Sequence, residues 1–165
     1  MLLLDSWTGH CPNELQQLIP QDKEVTFSMI PKKTTGIVQP LDVFGFRIWK
    51  NFVRTFSDNV ILQERDVNLY LRNEIIKLQS LTHNQFSSPR FKNPFQYAWF
   101  KSGYLETHPS EFQNPVDFCY FRNEKLIPKC SICGEPAFMR CAWCGKYFCF
   151  IHFYEEYHYC TNYKP

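Results

Sequence analysis

Cys130-Ser-Ile-Cys133-Gly-Glu-Pro-Ala-Phe-Met-Arg-Cys141-Ala-Trp-Cys144-Gly-Lys-Tyr-Phe-Cys149-Phe-Ile-His152-Phe-Tyr-Glu-Glu-Tyr-His158-Tyr-Cys160 organises the C-terminal end of the chain. It holds four close pairs: Cys130-x2-Cys133, Cys141-x2-Cys144, Cys149-x2-His152 and His158-x-Cys160. Two side chains separated by two residues point at one ion from a tight turn, and tetrahedral zinc takes four such ligands. Eight donors therefore predict two structural Zn2+ ions with no open coordination position. Interleaving is the economical arrangement for so short a segment. It puts Cys130, Cys133, Cys149 and His152 on one ion, and Cys141, Cys144, His158 and Cys160 on the other; sequential pairing is the rival. Buried free thiols account for single cysteines, not for four close pairs. With few aliphatic residues, the segment is expected to need metal to fold.

The remaining cysteines, Cys11 and Cys119, lie outside the array and read as ordinary thiols. No basic, apolar leader follows Met1, so a reducing compartment is expected, where spaced Cys and His ligate metal rather than form disulfides. No apolar run approaches the roughly 20 residues of a membrane-spanning helix. Among 165 residues, 44% are apolar and 18% aromatic, a globular composition. The net charge of +2 excludes a strongly basic or acidic tail, so any DNA contact must come from local clusters.

Upstream, Leu2 to Leu4 reads as a short buried strand ending at Asp5. Pro12 to Ile19 reads as a brief helix, and the alternation Val25, Phe27, Met29 as a second strand. Pro31 to Pro40 is loop chemistry. From Leu41, the apolar residues Phe44, Ile48, Phe52 and Phe56 recur at helical spacing. Arg47, Lys50 and Arg54 recur on another face of that helix. Such a stripe is either a solvated surface or an edge that follows a phosphate backbone. A second helix is predicted from about Val60 to Gln79, with Val67, Leu71, Ile75 and Leu78 on one face, and a third from Pro94 to Lys101. Tyr104 to Pro128 reads as an irregular linker packed against something, because it carries too many aromatics for a free tether.

Two stretches resemble a known family. Leu2-Leu3-Leu4-Asp5 followed by His10, and Ile30-Pro31-Lys32-Lys33-Thr34-Thr35-Gly36-Ile37-Val38-Gln39-Pro40-Leu41-Asp42, are similar to the DDE transposases of the pogo, Tigger and jerky branch. The resemblance covers residues 1 to about 57, then weakly to about 105. It implies an RNase H-like fold in which three acids hold two Mg2+ or Mn2+ ions for phosphodiester cleavage and strand transfer. Asp5 matches the second acid, Asp42 the third, and His10 the histidine after the second acid. The first acid is expected upstream of Met1, and Ser6 replaces the usual Asn. Two carboxylates hold a metal pair poorly, so no cleavage is expected from this chain alone. The Cys/His array in turn resembles the treble-clef and cross-brace fingers of the MYND, HIT and B-box kinds, which implies protein binding more often than DNA binding. Its His158-x-Cys160 pair is tighter than theirs.

The expected fold class is α/β: an incomplete RNase H-like core (1–57), a helical region and linker (58–125), and a small two-zinc module (126–165). The expected function is transposase-derived DNA binding without catalysis. The alternatives are part of an active metal-dependent DDE endonuclease, and a zinc-dependent adaptor for a protein partner. A nuclear location follows from the resemblance only, since Lys32-Lys33 is too short for an import signal.

Overall fold

Leu2–Leu4 (β1) and Phe27–Met29 (β2) pair in parallel, Leu3 opposite Ser28, in the computed structural model, which describes residues 1–10 and 12–164. Parallel neighbours need a crossover, and Pro12–Gln17 (α1) lies within it. Only Leu4 of the first strand is buried; Leu2 is exposed, because a two-stranded ribbon covers little of its own faces. The expected loop from Pro31 to Pro40 contains one helical turn, Thr35–Val38 (α2).

The helix predicted from Leu41 begins with a wider, π-helical turn, Leu41–Gly45, and continues as Phe46–Leu62 (α3). Gly45 is buried there, and a Cβ on it would lie 2.9 Å from Leu41 Cδ2, so a larger residue would push that side chain aside. Ile48, Phe52, Phe56 and Val60 form the buried face of α3, while Arg47, Lys50 and Arg54 are exposed.

The continuous helix expected over Val60 to Gln79 is corrected by the structure. The Arg65 N–H reaches back to the Val60 carbonyl and the Glu64 N–H to the Ile61 carbonyl, both at 3.0 Å, with Glu64 at φ 50°. This is a Schellman ending. Its left-handed position carries Glu instead of the customary Gly, so nothing in the sequence announced it. Arg72–Phe86 (α4) follows, burying Leu78, Leu81 and Phe86 but leaving Leu71 and Ile75 exposed. Ser88 then caps a single 3-10 turn, Pro89–Phe91, by accepting the Arg90 N–H. Lys92–Lys101 (α5) starts two residues before the predicted Pro94.

Within the expected linker, Pro115–Cys119 (α6) is a core element, with Val116, Phe118 and Cys119 buried. Asn114 accepts the Val116 N–H at 2.9 Å and Pro115 occupies the first turn. An Asn cap before a first-turn Pro is a helix start that the local sequence encodes. Met139–Arg140 (β3) and Tyr147–Phe148 (β4) form an antiparallel hairpin, followed by a π-helical turn, Ile151–Glu155.

One hydrophobic core joins the helices to the hairpin. The Phe56 ring lies 5.1 Å from that of Phe138 and 5.0 Å from that of Tyr154, and the Phe52 ring 5.2 Å from those of Phe86 and Tyr120. Each such side chain contributes about 1.5–3 kcal/mol by leaving water. The architecture is therefore a mixed one, helices with two small sheets, in which the Cys/His segment is packed against α3 and α4.

Candidate metal centres and basic face

Each Cys-x2-Cys pair sits on the same kind of loop. The Gly134 N–H donates to the Cys130 carbonyl at 3.0 Å, and the Gly145 N–H to the Cys141 carbonyl at 2.9 Å. Gly134 and Gly145 have φ of 79° and 72°, where a Cβ is strained, so glycine after the second cysteine is what lets both loops close. The Ile132 N–H points at Cys130 Sγ, 3.5 Å away, as donors do around a thiolate.

The fold brings the eight donors into two sets, each with its ligand atoms within 4.8 Å of one another: Cys130, Cys133, Cys149 and His152, and Cys141, Cys144, His158 and Cys160. The interleaved arrangement follows from the β3–β4 hairpin. Folding Tyr147–Phe148 back on Met139–Arg140 carries Cys149 across to the first loop, Cys133 Sγ lying 3.7 Å from Cys149 Sγ. The donors are thereby grouped in the interleaved way and not in the sequential one. All seven described cysteines are free thiols, and Cys11 lies outside the described residues.

The two histidines present different nitrogens. His152 Nδ1 lies 3.1 Å from Cys149 Sγ and 3.5 Å from Cys130 Sγ, while its Nε2 faces Glu156 Oε2 at 3.8 Å. A carboxylate behind a ligating imidazole fixes the ring's orientation. His158 turns Nε2 toward Cys144 Sγ at 3.7 Å, and its ring lies on Phe148 with centroids 4.0 Å apart. Burial, then Lys146, lowers the His158 pKa and keeps the ring neutral, the form that binds metal.

The thiols respond unequally to their crowding. Burial opposes ionisation of Cys130, but backbone N–H donors from Cys133, Cys149 and Ile132 outweigh it and bring the thiol down to about 6. Burial pushes Cys141 up to about 12, with Cys144 and Cys160 adding like charge. Several thiolates this close need a cation between them. The donor sets and loops fit a metal ion such as zinc, and four protein ligands would close each site to water.

The end of α4 braces the second loop. Trp143 Nε1 donates to the Asn84 carbonyl at 2.7 Å, Ser88 Oγ to the Ala142 carbonyl at 3.0 Å, and Arg90 Nε to the same carbonyl at 3.3 Å. Sequence reasoning missed this bracing, which joins residues far apart in the chain.

The acidic candidates lie apart from these centres. Asp5 follows β1 and pairs with His10, Nδ1 to Oδ1 2.7 Å, while also accepting the Trp7 N–H at 3.1 Å. Asp42 is exposed on the π-helical turn before α3. Among the described residues, neither joins a group of three potential ligands. Arg47, Lys50 and Arg54 remain free of ion pairs among the described residues. Among the described residues, no helix is long and apolar enough to cross a membrane.

Two Cys3His clusters packed on a helical platform form a pair of sites that could each hold a metal ion. Residues 99–160 match the family model of the Tc5 transposase C-terminal domain, which supports a transposase-related family. The matched span begins within α5, takes in α6 and ends at Cys160, the last of the eight donors. No curated protein and no solved structure matches the chain.

Proposed function

We propose that this chain is a transposase-derived DNA-binding protein, related to the pogo, Tigger and jerky branch of the DDE transposases, whose C-terminal module is held by two zinc ions. The observation that carries the reading is the match of residues 99–160 to a transposase C-terminal domain, a span that includes every ligand of both centres. The zinc assignment is supported by the donor chemistry, three thiols and one imidazole at each site.

DNA is held by Arg47, Lys50 and Arg54, exposed side chains that recur along α3 and can follow a phosphate backbone. The zinc ions act at a distance, by rigidifying the module on which α3 rests. Asp5 and Asp42 are read as the second and third acids of an RNase H-like centre. Asp5 lies at the end of a parallel strand, where such folds place ligand-binding residues. Two carboxylates hold a divalent pair poorly, so the chain by itself binds DNA rather than cleaving it. We place it in the nucleus, as the resemblance implies.

The test is binding of the zinc-loaded protein to labelled duplex DNA across a salt series. Affinity should fall linearly on a log–log plot, with a shallower slope once Arg47, Lys50 and Arg54 are changed to Gln. A flat plot for the unmodified protein would remove the phosphate contacts and with them the DNA-binding reading.

A further inference from the structure

We propose that Arg54 and Arg122 together clamp a single phosphate of a nucleic-acid backbone in the cleft between α3 and α6. The site rests on the DNA-binding reading above and adds to it a residue from a different segment.

The cleft has a volume of about 250 Å³, with Asn51, Arg54 and Asp58 along its α3 wall and Asn114 and Arg122 on the side of α6. Arg122 reaches it through the way α6 ends. Phe121 takes a left-handed conformation, φ 41°, and the Arg122 N–H returns to the Asp117 carbonyl at 3.3 Å, which reverses the chain toward α3. Arg122 Nη2 then donates to Thr55 Oγ1 at 3.2 Å, which positions the guanidinium over the cleft. A bulky residue at positive φ is uncommon and must be held by its surroundings. Here the Phe121 ring packs edge-on against Tyr147, with centroids 5.9 Å apart.

Neither guanidinium has an ion-pair partner among the described residues, although Asp58 stands one helical turn from Arg54. Two unpaired guanidinium forks beside Asn side chains, in a polar cleft, suit a tetrahedral oxyanion. The geometry continues the stripe of Arg47 and Lys50 along α3. The Asp58 carboxylate opposes an anion there, which makes it a lever in the opposite direction.

The experiment uses the zinc-loaded full chain and a labelled duplex across a salt series. Variants R54Q, R122Q, R54Q/R122Q, D58N and K92Q are compared, after zinc content and melting temperature show each to be folded. The double variant should lower the slope of log affinity against log salt by about 0.9, the value for one shared phosphate, and two separate contacts would give about 1.8. D58N should tighten binding by about two- to fivefold, a gain that misfolding cannot mimic. K92Q, at an exposed position of α5, should match the unmodified protein. An unchanged affinity for R122Q at low salt, or a slope drop near 1.8 for the pair, overturns the clamp. If the unmodified protein binds no DNA, the DNA-binding reading fails by itself. Inorganic phosphate, followed through the arginine Nε–H resonances, then decides the cleft: joint shifts of Arg54 and Arg122 uphold the phosphate clamp, and none overturns it.

Discussion

Gln85 Oε1 accepts the backbone N–H of Ala142 at 2.7 Å, joining the last turn of α4 to the loop between Cys141 and Cys144. Gln85 is only 3% exposed, so this amide fills its role inside the core. The bond lies between a helix and a cysteine loop from separate parts of the sequence, and it ties the second Cys/His cluster to the helical platform.

Changing Gln85 to Leu strands a buried N–H and should cost about 1–3 kcal/mol in denaturant-induced unfolding. The effect should be local as well. Zinc at the Cys141 centre should leave faster toward a chromogenic chelator, while the Cys130 centre keeps the unmodified rate. Equal acceleration at both centres would contradict the bracing.

Removing the metal should unfold more than the module. Phe138, Phe150 and Tyr154 share a core with Phe56 of α3, so stripping the ions takes partners away from the helices. Elemental analysis should find about two zinc ions per chain, as four-ligand sites require, and chelation should reduce the far-ultraviolet helical signal. C133S and C160S should each lose one of the two. A helical signal unchanged after complete chelation would show that the core stands without metal.

Phe56 is fully buried, and its ring touches three aromatic residues of the module. F56A should cost about 3–5 kcal/mol, whereas F56L should cost less than about 1.5 kcal/mol if its neighbours repack. Urea titration of the zinc-loaded proteins separates the two. Similar losses for both would mean that ring contacts, not volume, hold the junction.

Stability should fall on the alkaline side. Burial, then the hydrogen bond to Glu74, raises the Tyr154 hydroxyl above its ordinary 10.0, and burial raises Tyr120 and Cys119 as well. A raised acid keeps its proton in the fold and loses it first in the unfolded chain. Its contribution is therefore complete below the unfolded pKa and is lost as pH climbs through the folded one. Melting temperatures should drop from about pH 9 to 10 upward, and Y154F should make that drop shallower without abolishing it. An unchanged pH dependence in Y154F would mean that Tyr154 ionises freely.

The local features of this protein are written in short stretches of its chain. Glycine after the second cysteine closes each Cys-x2-Cys loop, and the four-residue spacing of Ile48, Phe52 and Phe56 sets the buried face of α3. The apolar periodicity runs on from Val60 to Gln79, but Glu64, not glycine, takes the left-handed turn that divides this stretch between two helices. The Asn114-Pro115 start of α6 was legible but hidden among irregular aromatics.

Spacing alone nominated eight ligands but left two ways to pair them, since a loop of two residues says nothing about which other loop it meets. The antiparallel hairpin decided that by carrying Cys149 back to Cys133. Tertiary packing likewise set Gln85 against Ala142 and Arg122 beside Thr55, contacts 57 and 67 residues apart. Backbone preference acts over a few residues, whereas which surfaces bury one another depends on the whole chain at once.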